Sequence, residues 1–408
     1  MHISARNDNT KIAKTACKCW NCFYTIRRLT GICRAADLQH CPLRQLLAKS
    51  HLKYQFSDRN KVFSMKAFMI EDTKFAGFID VDEPQLRGPL SVKVAVESMG
   101  ICGTDIKIYE GHHSQSAGQK RIPGHEFAGV VVEVGSAVQK LRVGDRVVHE
   151  PISYCGHCYA CKRGEGNVCA SVHVTGCNME GGAEEYFVAD EKQWHKLPDW
   201  ITWNEAALIE PYTIAAQVCS RAELAPEDTM LIHGAGPIGL MLADTAMHMG
   251  ATVMISEVSD GRLALARAMG IPYVIDAKKE RAFDAAMRIT DGYGPNIIAD
   301  CAGLPKMAEE AFDLLSPAGR FVPVAGVSFQ CDGYKAMRKQ LKIVSSRLQM
   351  HQFVPVISRF RLYQANADRM ITDVFDFSQC KEAFAYAHER RPETGKVVIR
   401  FHRHPDIP

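Results

Sequence analysis

The rhythm of apolar and polar positions changes once along the chain. From Met65 to about Pro211, short apolar runs are broken by Gly and Pro turns. Residues 92–96 alternate, residues 127–134 form a longer apolar run ending at Gly135, and residues 141–148 read as a turn entering another strand. Strand–turn spacing of this kind predicts a β-barrel-like domain. From about Glu205 helical and strand periods alternate, which predicts a parallel sheet with helices on its faces. Strands are expected at 228–232, 252–256, 273–275, 297–300 and 320–324, with helices from Gly234 to about Met249 and over 262–269. Residues 203–209 also read as helical. The last fifty or so residues return to a mixed texture and end in a strand at 396–401. The predicted class is α/β.

Residues 1–64 share neither rhythm. They hold Cys17, Cys19, Cys22, Cys33 and Cys41, many Arg and Lys, and only Asp8, Asp37 and Asp58 as acids. Three readings stand: an acid-poor targeting leader without the apolar core of a secretory signal, a small metal knuckle around Cys17, Cys19 and Cys22, or sequence translated from a start upstream of the functional one. We favour the last, because Met65-Lys66-Ala67 opens a strand, and expect this segment to be disordered or loosely attached.

Composition removes some function classes. The chain of 408 residues is long enough for two ordinary domains, and 47% apolar with 23% charged residues are globular values. A net charge of +3 without a basic, aromatic-rich stripe argues against nucleic acid. No apolar run reaches the roughly 18 residues of a membrane span. A cytoplasmic protein acting on a small molecule is expected, with neither nucleic acid nor membrane as partner.

Chemistry gathers between Gly100 and Glu126, which reads Gly100-Ile101-Cys102-Gly103-Thr104-Asp105 and closes with Pro123-Gly124-His125-Glu126. A thiol, an imidazole and a carboxylate are zinc-binding groups, and a catalytic zinc takes three protein ligands and one open position. Thr104 offers a hydroxyl to receive a proton from something bound there. Either Cys102 or His125 alone would read as an ordinary buried thiol or loop imidazole. Further on, Cys155, Cys158, Cys161 and Cys169 stand at C-x2-C-x2-C-x7-C. Four thiolates can close around one tetrahedral zinc and leave no open position, which makes that site structural. An iron–sulfur cluster is the rival, but its bacterial spacing has a shorter last gap followed by Pro.

Gly234-Ala235-Gly236-Pro237-Ile238-Gly239 is G-x-G-x-x-G between a predicted strand and helix. In that context it is a dinucleotide fingerprint, with the pyrophosphate facing the helix N-terminus. Glu257, eighteen residues beyond Gly239, ends the next strand, where an acid would grip the adenosine ribose. Arg262 stands close enough to turn toward a phosphate, and Val324 and Gly326 are expected in the cofactor wall. Glu210, at the change of texture, either reaches a metal or is a helix N-terminal charge.

By these motifs the chain resembles the zinc-containing medium-chain dehydrogenase/reductase family, in its sorbitol- and threonine-dehydrogenase-like branch, from Met65 to about Phe401. The resemblance implies a GroES-like, β-rich catalytic domain at 65–211, a Rossmann domain with a doubly wound parallel sheet at 212–349, and a C-terminal return to the catalytic domain at 350–401. It implies Cys102, His125 and Glu126 as catalytic zinc ligands, and Glu210 as the acid that takes or approaches the fourth position. The four clustered cysteines become the structural zinc site, and Thr104 the relay for the alcohol proton. Many relatives carry a His three residues after that Thr; Lys107 stands here, which leaves the onward proton route open. The implied cofactors are two zinc ions, one catalytic and one structural, and NAD. The implied reaction moves a hydride from a secondary alcohol of a polyol or sugar acid to NAD+, in a dimeric or tetrameric homo-oligomer. A threonine-like hydroxy amino acid is the alternative substrate. A non-catalytic nucleotide sensor on the same fold is a further alternative, against which the intact Thr104 and zinc ligands argue.

Overall fold

The structure, a computed structural model, describes residues 64–112, 120–390 and 393–401. The chain divides into two units, 1–61 and 62–408. Every described residue lies in the second, so the expectations for the leader fall outside the described residues.

The first part of the second unit is β-rich. It runs β1 (Ser64–Asp72), β2 (Phe75–Asp82), β3 (Ser91–Gly100), α1 (Gly103–Tyr109), β4 (Glu126–Val134), β5 (Arg146–His149), β6 (Ile152–Ser153), β7 (His173–Val174), β8 (Tyr186–Asp190) and β9 (Trp194–Lys196). The helical run expected over 203–209 is two pieces, a single turn at Trp203–Ala206 and then α2 (Ile209–Arg221). The turn has its own capping box, in which Thr202 and Glu205 satisfy each other's backbone N–H groups. Pro211 sits in the first turn of α2, where its missing N–H costs no helical bond.

Alternation of strand and helix follows: β10 (Thr229–His233), α3 (Pro237–His248), β11 (Thr252–Glu257), α4 (Asp260–Ala268), β12 (Tyr273–Asp276), α5 (Ala282–Ile289), β13 (Ile297–Asp300), α6 (Pro305–Leu314), β14 (Arg320–Pro323), α7 (Gly333–Lys339) and β15 (Lys342–Ile343). The chain closes with α8 (Phe353–Met370), β16 (Ile371–Asp376), α9 (Cys380–Glu389) and β17 (Lys396–Arg400).

Two large sheets result. The six-stranded sheet has the order β12-β11-β10-β13-β14-β15 with every neighbour parallel, a doubly wound Rossmann arrangement. Its central strands carry continuous apolar runs, Met230-Leu231-Ile232, Val253-Met254-Ile255 and Ile297-Ile298-Ala299, because helices cover both faces. The seven-stranded sheet has the order β16-β17-β3-β4-β5-β9, with β8 also on β3. β3 is buried along nearly its whole length.

The mixed texture expected for the last fifty residues conceals the 18-residue helix α8. Phe353, Val356, Ile357, Phe360, Tyr363, Ala367 and Met370 are its buried face, and they join the core that holds Ile232 and Ile255 of the Rossmann sheet. β16 and β17 then complete the other sheet. The segment 350–401 therefore serves both sheets.

Candidate active site

Strand register builds the site. β3 pairs with β4 so that Gly100 lies opposite Glu126, which brings the end of one motif beside the end of the other. A Cβ at Gly100 would collide with the Glu126 carboxylate and lie 3.0 Å from Lys396 Cε, so any side chain there would displace the carboxylate. Cys102 caps α1, and Asp105 in its first turn accepts the Cys102 N–H at 2.8 Å. The other oxygen of Asp105 accepts the Gly124 N–H at 3.2 Å and lies 3.7 Å from His125 Nδ1. One buried carboxylate thereby ties the two motifs together.

The Cys102 sulfur, a His125 ring nitrogen and a Glu126 oxygen all lie within 4.8 Å of one another. His125 and Glu126 are buried, and Cys102 is half-buried. Burial works against a charged imidazole. The Cys102 thiolate and the Asp105 carboxylate outweigh it and hold His125 well above its usual range. Burial, with repulsion from Glu126, pushes Glu210 up to about 7. A half-buried thiol, a buried imidazole and two buried carboxylates make a donor set that fits zinc. Glu210 belongs to the first turn of α2 as a helix N-terminal acid and lies close enough to His125, Glu126 and Lys396 to feel their charges, but it is not one of the three residues whose donor atoms converge.

Lys396 and Asp105 were not anticipated. Lys396 ion-pairs with Glu126, and both side chains are almost completely buried. Burial disfavours its ammonium, but Glu126 and Cys102 raise it above the usual lysine range. Asp105 had a signal, the capping-box spacing three residues after Cys102; Lys396 had none.

The four lobe cysteines converge. Sulfur separations are 3.5 Å for Cys158–Cys161 and Cys155–Cys169, 3.8 Å for Cys158–Cys169 and 4.0 Å for Cys155–Cys161. Four sulfurs each about 2.3 Å from a tetrahedral zinc would stand about 3.8 Å apart, far beyond the length of a disulfide. Backbone N–H groups of Cys161 and Ala170 hold the Cys158 thiol down to about 6, which favours the thiolate that a metal takes. The residues fit a structural zinc.

Both ends of the proposed chemistry open into one cleft of about 550 Å3. Cys102, Thr104, Lys107, Glu126 and Lys396 line one wall, and Gly234, Gly236, Pro237, Ile238, Gly239, Glu257, Arg262 and Val324 line the other; Gly326 does not line it. Gly234 has φ +92, and a Cβ at Gly239 would strike the Gly234 carbonyl. Gly236 caps α3 with Pro237 at its first position, leaving backbone N–H groups free to face an anion. Glu257 accepts N–H groups from Ala235 at 2.9 Å, Val258 at 2.7 Å and Ser259 at 3.0 Å. Arg262 lies 3.8 Å from the same carboxylate.

Among the described residues no helix is long and apolar enough to cross a membrane. The alcohol dehydrogenase GroES-like domain model matches residues 88–199, and the zinc-binding dehydrogenase model matches residues 237–361. Sorbitol dehydrogenase of Halalkalibacterium halodurans is 32% identical over 304 residues, 73% of this chain and 88% of that protein. L-threonine 3-dehydrogenase of Pyrococcus abyssi is 35% identical over 334 residues, 79% of this chain and 94% of that protein. Among solved structures, the short chain alcohol dehydrogenase RspB of Escherichia coli CFT073, complexed with NADH, matches with a TM-score of 0.76 and 33% identity, over 83% of this chain and 99% of that one. With both halves of the fold, the two metal-type clusters and the glycine loop in place, the chain belongs to the zinc-containing medium-chain dehydrogenase/reductase family of oxidoreductases.

Proposed function

We propose that this protein oxidises a secondary alcohol of a polyol or sugar acid, with NAD+ as hydride acceptor. The observation that carries this reading is that Cys102 and Glu126, whose donor atoms cluster with that of His125, line one cleft with the glycine loop and Glu257. Zinc held by those three residues supplies Lewis acidity toward an alcohol oxygen, and NAD supplies the hydride chemistry. Thr104, on the same wall, takes the hydroxyl proton. Glu210 completes the electrostatics of the shell from α2. The glycine loop and the α3 N-terminus hold the pyrophosphate, and Glu257 holds the ribose hydroxyls. The relative bound to NADH supports that coenzyme choice.

The donor set also bears on the substrate. One thiolate, one imidazole and one carboxylate are harder than a shell with two thiolates, and harder sites favour oxygen donors. A substrate with two neighbouring oxygens is therefore fixed better than a simple alcohol, which supplies orientation. The threonine dehydrogenase relative keeps a hydroxy amino acid as the second reading.

The test is paired kinetics with NAD+ on hexitols, hexonates, L-threonine and a secondary alcohol without a vicinal oxygen. A polyol or sugar acid is expected to exceed the simple alcohol at least tenfold in kcat/KM, which corresponds to about 1.4 kcal/mol. Equal efficiency with 2-butanol would overturn the proposal, and preference for L-threonine would select the second reading.

A further inference from the structure

We propose that the buried hydrogen bond from Tyr212 to Asp244 is a positioning link, holding the Glu210 end of α2 in register with the coenzyme helix α3. This rests on the reading of Glu210 as part of the catalytic shell.

Tyr212 donates its hydroxyl to one oxygen of Asp244 at 2.8 Å, and Asn366 of α8 donates its amide to the other at 2.7 Å. His248, one turn along α3, places Nδ1 3.3 Å from that second oxygen. Tyr212 and Asp244 are both fully buried, and the Tyr212 ring stacks on Tyr363 of α8 with centroids 4.9 Å apart. Three helices on one side of the Rossmann sheet thus meet at a single carboxylate.

Packing alone does not call for this arrangement. On α3 the buried Leu240 and Met241 lie one turn before Asp244 on its own side, and the buried Ala243 and Thr245 flank it. An apolar residue at 244 would extend that face, whereas a buried carboxylate is costly unless fully partnered. What directional partners add to a slippery apolar contact is a unique register, the best-attested use of buried polar groups.

The register fixed here matters because of what the two helices carry. Residues two apart on a helix point about 200° apart, so Tyr212 anchors the side of α2 opposite Glu210. Between them Pro211 has a restricted φ, and Thr213 donates its hydroxyl to the Glu210 carbonyl at 2.5 Å. The first turn of α2 is therefore stiff, and a shift at Tyr212 is passed to Glu210. On α3, Asp244 is two turns from the N-terminus that faces the pyrophosphate.

Three variants test the link: Tyr212→Phe, Asp244→Asn, and the exchange Asp244→Asn with Asn366→Asp. Tyr212→Phe is expected to lower kcat at least fivefold per folded chain, with KM for NAD+ within twofold and the zinc content unchanged. Asp244→Asn alone sets two amides against each other and is expected to lower kcat to a similar degree. The exchange is expected to restore kcat to within twofold of wild type. In it the amide on α3 donates to the carboxylate on α8, and the amide oxygen still accepts from Tyr212. An unchanged kcat in Tyr212→Phe, whatever its melting temperature, would overturn the link and leave a purely structural bond.

A second readout needs no turnover and so survives a failure of the substrate reading. It is the Kd of NADH in wild type, Tyr212→Phe, Cys102→Ala and the double variant. Disturbing the metal shell through Cys102→Ala should change NADH affinity at least threefold in wild type and by less than half that factor in the Tyr212→Phe background. Equal factors in both backgrounds, or none in wild type, would overturn the link.

Discussion

Lys396 buries its ammonium against the Glu126 carboxylate, and neither side chain exposes more than 3% of its surface. The lysine comes from β17 and the glutamate from the start of β4, so two strands 270 residues apart in sequence complete one buried site.

The first prediction concerns this pair. Removing one partner of a buried ion pair costs about 3–5 kcal/mol when the other is left uncompensated. Zinc at the site would compensate Glu126 in place of the lysine. Lys396→Met is therefore expected to melt much lower than wild type when metal-free, and to gain more from added zinc. Thermal melts of chelator-treated and zinc-loaded protein check this; equal zinc-induced gains in both proteins would refute it.

Metal content gives the second. Two separate donor sets should hold close to two zinc per chain by elemental analysis. Cys102→Ala should lose one zinc and the activity while staying folded. Cys158→Ser should lose the other, together with thermal stability, because structural zinc contributes about 10–16 kcal/mol in peptide models. Loss of the same ion in both variants would contradict the two-site reading.

Coenzyme choice gives the third. The 2′-phosphate of NADP would come against Glu257, and two like charges about 5 Å apart repel by about 3 kcal/mol at an effective dielectric near 20. A preference for NAD+ of about a hundredfold in kcat/KM follows. Glu257→Gln should narrow it to within tenfold. Its NAD+ KM should also rise, since the carboxylate anchors the Ala235, Val258 and Ser259 N–H groups around the glycine loop. Comparable efficiency with NADP+ in the wild type would be decisive against this assignment.

The fourth is acid sensitivity. Burial lowers the His233 imidazole to about 4, and its Nδ1 lies 2.9 Å from the Ser256 hydroxyl. The unfolded chain binds this proton near pH 6.5 and the folded chain does not, so the unfolded state holds more protons between those values. The stability is complete above pH 6.5 and falls as pH drops toward 4, by up to about 1.4 kcal/mol per unit from this residue. Denaturant melts of wild type and His233→Asn should show a shallower acid slope in the variant; parallel slopes would exclude His233 as a cause.

What could be read from the chain alone was local. The C-x2-C-x2-C-x7-C cluster and the Gly234–Gly239 loop declare themselves because a metal site or a phosphate turn needs fixed residue types within a few positions. The strand expected at 127–134 and those of the Rossmann half were legible for the same reason, since each is a local run of three to eight residues. The period of α8 was also present in Phe353, Val356, Ile357 and Phe360, but Pro355 in its first turn and the scattered arginines disguised it. Tertiary structure alone decided the rest. The β17–β3 register sets Val398 opposite Gly100, and the Ile101 N–H donates to the Val397 carbonyl at 2.9 Å. That pairing delivers Lys396 to Glu126. In the same way α2, α3 and α8 bring Tyr212, Asp244 and Asn366 to one point. Strand register and helix docking are properties of the whole buried surface, and no spacing within one segment encodes which distant residue will arrive opposite it.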